Sequence, residues 1–146
     1  MNKGTLFALA LSAGVCFSLQ PPINAALGRS VGVLESAFVS FAVGAVVLAA
    51  AAWAVGTGSL AALPQIPLWQ LAGGFIGAYF VTVALFCAAR IGMTALMVAI
   101  VAGQLAGGLL LDHFGLLGLQ ARPIGPAQTA AALLILAAVW LVQSRG

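Results

Sequence analysis

The sequence predicts an all-α integral membrane protein of five transmembrane helices, and three observations carry that expectation. Hydrophobic residues make up 64% of the 146 residues and charged residues only 5%, against about a quarter charged in a soluble domain. Apolar runs long enough to cross the hydrocarbon core, about 20 residues each, recur along the whole chain. Those runs, of which "FAVGAVVLAAAAWAV" is typical, lack the apolar/polar alternation that a transmembrane β-barrel needs.

The spans are expected at residues 4–28, 37–56, 69–89, 93–111 and 127–143, forming a single domain over 1–146 with no soluble appendage. The first has a basic start, Lys3, and an apolar stretch, which also describes a signal peptide. It reads as a retained span because no clear small-residue cleavage site follows it and four more spans come after. The second span is uninterrupted. Tyr79 and Thr82 are the polar interruptions of the third. Arg90 to Gly92 reads as a tight turn, and Pro126 precedes the fifth span, where the first helical turn needs no internal donor. The remaining connectors are 29–36 with Arg29 and Glu35, the Gly- and Pro-containing 56–67, and 112–126. Trp53, Trp69 and Trp140 fall at span ends and suit interfacial anchoring.

Five spans put the termini on opposite sides. Lys3 and Arg122 then share one side and Arg29, Arg90 and Arg145 the other, two against three. Orientation follows the excess of Lys and Arg, so an imbalance of one gives little instruction and dual topology is expected. Cys16 and Cys87 fall inside spans and read as packed small residues. His113 has no second soft ligand beside it, so no metal site is expected.

Polar residues inside spans point to where chemistry occurs. Ser12, Cys16, Gln20 and Asn24 recur every fourth residue and share one helix face, and Pro21 and Pro22 remove the amide protons that would bond the carbonyls of Phe17 and Ser18. A kinked, polar-striped helix can line a substrate site between helices; a packing kink is the competing reading. Gln104 lies mid-span, where an amide facing lipid would leave its hydrogen bonds unmade, so it is expected to face the interior or a cavity. Substrate contact is assigned to Gln20, Asn24, Tyr79, Thr82 and Gln104. Gly73 with Gly77, and Gly103 with Gly107 and Gly108, have the spacing of close helix packing. Arg90, Asp112, His113 and Arg122 are expected to form an interfacial polar network, because a carboxylate at a helix C-terminus needs water or a cation.

The segments "QPPINAALGR", "SFAVGAVVLA" and "VAGQLAGGLLLDHFG", with Arg122–Pro123 after them, resemble the DUF606 (YdcZ-like) family of the drug/metabolite transporter superfamily, which is related to the small multidrug resistance proteins. The resemblance spans nearly the whole chain. It implies a five-helix unit equivalent to half of a ten-helix transporter, working as an antiparallel homodimer or with a sister five-helix chain in the bacterial inner (plasma) membrane. The proline pair departs from the small or hydroxyl residues that usually follow the glutamine. The small multidrug resistance proteins exchange protons for cations through a carboxylate in the first helix. No carboxylate lies in the first span here, so that mechanism does not carry over.

The function expected from these features is that of a small-molecule secondary transporter subunit, an exporter working by alternating access. The alternative is a non-transporting scaffold or partner subunit of a larger complex. With no nucleophile-base-acid set and no nucleotide motif, neither an enzyme nor a cofactor is expected, and no nucleic-acid partner either; the lipid bilayer and a small-molecule substrate are.

Overall fold

The computed structural model describes residues 2–144, and every one of its helices follows an apolar run. Helix α1 is Lys3–Val31, α2 Val33–Val55, α3 Ala72–Phe114 and α4 Pro126–Gln143, with short 3-10 turns at Leu60–Gln65, Leu68–Leu71 and Leu116–Gly118. Each of the four is long and apolar enough to cross a membrane. There is no strand among the described residues. The chain is therefore an all-α membrane protein. Arg145, one of the three cations counted on one side, lies outside the described residues.

Helix α3 is one helix only nominally. At Gly92 the backbone takes φ 77° and ψ 165°, a conformation in which an L side chain is strained. The break falls in the turn expected at 90–92 and divides α3 into arms of 72–91 and 93–114. At about 1.5 Å per residue, each arm spans roughly 30 Å, one bilayer crossing.

The connector between the first two spans is shorter than hydropathy suggests. Arg29 sits in the last turn of α1 and Glu35 in the first turn of α2, so the expected 29–36 loop contracts to Gly32. Its φ of 104° turns the chain, its N–H donates to the Gly28 carbonyl at 3.0 Å, and its carbonyl accepts from Ser36 N–H at 3.0 Å. Charged residues ended the apolar run without ending the helices. As the expected span 4–28 implies, α1 continues through Pro21 and Pro22, the first buried and the second exposed. At the N-terminus the Asn2 side-chain oxygen accepts from Thr5 N–H at 2.8 Å, capping α1.

The described chain forms two compact units, residues 1–89 and 90–146. In the first, Ala37 of α2 packs with Val81 and Leu85 of α3, flanked by Ala25 of α1 and by Phe80. The Phe17 and Phe80 rings lie 5.3 Å apart. The Phe41 ring comes within 3.3 Å of where a Cβ on Gly77 would stand, so the small residue admits α2 to α3.

In the second unit, Leu96 is the buried apolar residue, and α4 has no buried residue. After Phe114 the chain turns through Gly115 at φ 61° and Gly118 at φ 86° and runs extended to Pro126. There Gln128 Oε1 accepts from Gly125 N–H at 3.2 Å and ties down the start of α4.

Candidate functional site

The first unit holds a small, mostly apolar crevice between α1 and the first arm of α3. Asn24, only 4% exposed, lies at its centre, and its Nδ2 is buried with no hydrogen-bond partner. Beside it is a cavity of about 10 Å³ bordered by Gln20, Pro21, Asn24, Phe80, Val81, Ala84 and Leu85. The every-fourth-residue stripe of α1 reaches this crevice: Asn24 is buried, Gln20 half-buried, and Cys16 and Ser12 exposed. Ser12 Oγ donates back to the Leu9 carbonyl at 2.8 Å, which leaves the thiol of Cys16, an unpaired cysteine, as the open group on that face. The expectation that Cys16 is packed does not hold.

Asn24 is held in place through its backbone. Ser36, fully buried on α2, donates its Oγ to the Asn24 carbonyl at 2.6 Å. This bond crosses the hairpin, so the α1 crevice and the Gly32 turn are one construction. Ser36→Ala should lower stability by about 1 kcal/mol, the usual worth of one buried hydrogen bond, measured by unfolding in detergent; the Asn24 carbonyl keeps its place in the helix, so the fold itself should survive.

The expected substrate residues are not all gathered here. Gln20 and Asn24 border the cavity. Thr82 is half-buried and donates its hydroxyl to the Ala78 carbonyl at 2.9 Å, and Tyr79 is 66% exposed; neither is in the cavity wall. Gln104 belongs to the second unit and is exposed. Ser36, Phe80 and Ala84 were not singled out by sequence reasoning. Phe80 and Ala84, with Val81 and Leu85, repeat at helical spacing on one face of the third span, which was the available clue; nothing in the sequence distinguishes Ser36 from the other serines.

Of the packing glycines, Gly77 meets Phe41, while open space lies beside Gly73, Gly103, Gly107 and Gly108. The polar network is partly rearranged. The Arg122 N–H donates to the Asp112 carbonyl at 2.6 Å and the Ile124 N–H to His113 Nδ1 at 3.4 Å, so the connector satisfies the end of the helix by backbone groups. Arg90 lies just before the Gly92 break, while Asp112 nearly ends the arm that starts after it, about 30 Å along that helix, so Arg90 stands apart from the other three. Arg90 instead borders a groove of about 1010 Å³ that runs past Thr94 and Val98 on α3 and Val139 and Gln143 on α4.

Comparison with known proteins agrees with this membrane architecture. A family model described as "Putative inner membrane exporter, YdcZ" matches residues 5–141. The chain is also 28% identical over 151 residues to the Inner membrane protein YdcZ of Escherichia coli (strain K12), covering 99% of each. No solved structure matches. With its apolar helices crossing the inner membrane several times, the chain belongs to the YdcZ family of inner membrane exporters.

Proposed function

We propose that the chain is one subunit of a small-molecule exporter that works by alternating access as a dimer, either with itself or with a sister five-helix chain, and that substrate is held along the polar face of α1. Asn24 carries the proposal. A buried amide donor left unpaired costs about 1–3 kcal/mol, a penalty that a purely structural helix would shed by replacing the asparagine with an apolar residue. A ligand that supplies the missing acceptor gives the residue a use. Purified chain in proteoliposomes should discharge at least one small polar solute from a preloaded panel. Efflux of none would favour a non-transporting partner subunit.

Gln104 supports a second copy. An amide in mid-span and exposed on its own subunit is stable in lipid only if another surface covers it, and the open space beside Gly103, Gly107 and Gly108 would let a helix approach closely. Gln104→Leu should leave the dimer intact and weaken substrate binding tenfold or more, about 1.4 kcal/mol. Dimer fraction and binding measured together decide the matter: a lost dimer with unchanged affinity makes the residue structural.

The near balance of Lys and Arg leads to dual topology. A cysteine probe placed after the last residue, in a chain lacking Cys16 and Cys87, should be labelled from outside intact cells in roughly half of the molecules. Two lysines added to the 56–67 loop should shift that fraction strongly. Complete labelling, or none, before the lysines are added would show a single orientation.

A further inference from the structure

We infer that the small cavity between α1 and α3 is a subsite for one uncharged, hydrogen-bond-accepting oxygen, occupied by water at rest and by a carbonyl or hydroxyl oxygen of the substrate during export. The class of substrate is then neutral and oxygen-bearing, not cationic. The inference rests on the exporter reading and deepens it.

Three features of the crevice define what it takes. The unpartnered atom, Asn24 Nδ2, is a donor on a residue that borders the cavity, so its complement is an acceptor. The cavity measures about 10 Å³, which on this measure is about the space of one water molecule, so only a single oxygen of a larger molecule can enter. Its remaining wall is uncharged: the rings of Phe80 and Pro21, the aliphatic Val81, Ala84 and Leu85, and the amide of Gln20.

An ionised group has no counter-charge there. Glu35, the acidic residue of the first unit, sits at the start of α2 with its carboxylate over Gly32, and Arg29 is exposed in the last turn of α1. Desolvating either a cation or a carboxylate between Phe80 and Leu85 would be unfavourable without a partner. A neutral oxygen carries no such penalty. The other half of the route is the stripe itself, where half-buried Gln20 leads to exposed Cys16 and Ser12.

The sequence offers a direct probe, because Asn2 and Asn24 are its only asparagines. Full-length protein labelled with 15N-asparagine in lipid nanodiscs should show two side-chain amide signals, with Asn2, exposed at the N-terminus, serving as the solvent-contact control. The Asn24 amide should receive magnetisation from water although it is buried. N,N-dimethylacetamide, an acceptor without a donor, should abolish that transfer and shift the signal, whereas tetramethylammonium should do neither.

A dry Asn24 beside a hydrated Asn2 would overturn the inference. So would a water that dimethylacetamide cannot displace, which is a structural water, or displacement by tetramethylammonium, which contradicts the substrate class. Efflux from proteoliposomes, followed in parallel, separates the two readings. Efflux with an unresponsive Asn24 removes the subsite and keeps the exporter; a responsive Asn24 without efflux upholds the oxygen site and removes the exporter.

Discussion

Asn24→Leu should give a protein that is at least as stable as the parent, by about 1 kcal/mol if the relief of an unmade hydrogen bond is realised, and that exports nothing. The side chain is 4% exposed and its Nδ2 has no partner, so an apolar replacement with the same branching removes a penalty, its extra bulk taken up by the small cavity beside Phe80 and Leu85. Asn24→Asp is the opposite case. A carboxylate at this position would be buried with no cation beside it, and breaking the balance of a buried charge costs about 3–5 kcal/mol, enough to unfold much of the protein in detergent. Thermal unfolding and efflux measured on both variants test the pattern: stable and inactive for leucine, unstable for aspartate. A leucine variant with full efflux would make Asn24 a packing residue.

The second large effect belongs to the hairpin. Gly32→Ala should destabilise the protein by about 2–3 kcal/mol, because φ 104° is strained for any residue with a Cβ. That Cβ would also stand against the Glu35 carboxylate. The carboxylate is the end of a flexible side chain and can swing away, losing its place in the first turn of α2, worth about 0.3–1 kcal/mol. Combining Gly32→Ala with Glu35→Ala should therefore cost less than the two single changes added together, while the backbone share remains. Unfolding in detergent across this double-mutant cycle reads the coupling; strict additivity would show that the two residues do not touch.

Hydropathy located the membrane crossings because burial in lipid demands long apolar runs, and it marked the break at Gly92 because glycine there follows Arg90. It drew the turn at Gly32 too wide for a physical reason: Arg29, Ser30, Glu35 and Ser36 are polar enough to end an apolar run, yet they are compatible with helical backbone at an interface. The prolines did not mislead, since the apolar run continues past them and loss of two amide protons does not by itself end a helix whose face is packed. At the site, the spacing of Gln20 and Asn24 was visible as a stripe on one helix. Their partners, Ser36 on α2 and Phe80 and Ala84 on α3, were not, because helix-to-helix register is set by packing between segments far apart in the chain. Gln104 was read as facing the interior or a cavity, and in the chain by itself it is exposed.

The exporter reading is tested most directly at Cys16, one helical turn from Gln20 on the α1 stripe and exposed. In protein carrying Cys87→Ser, reconstituted in sealed vesicles, a membrane-impermeant maleimide added on one side reports whether water reaches that face. If the stripe lines an alternating-access pathway, modification from one side alone should run to completion, since every molecule exposes the thiol to both sides in turn. A plateau near half would show fixed molecules in two orientations, and no modification from either side would show a lipid-facing cysteine. Either result would contradict a substrate pathway along α1.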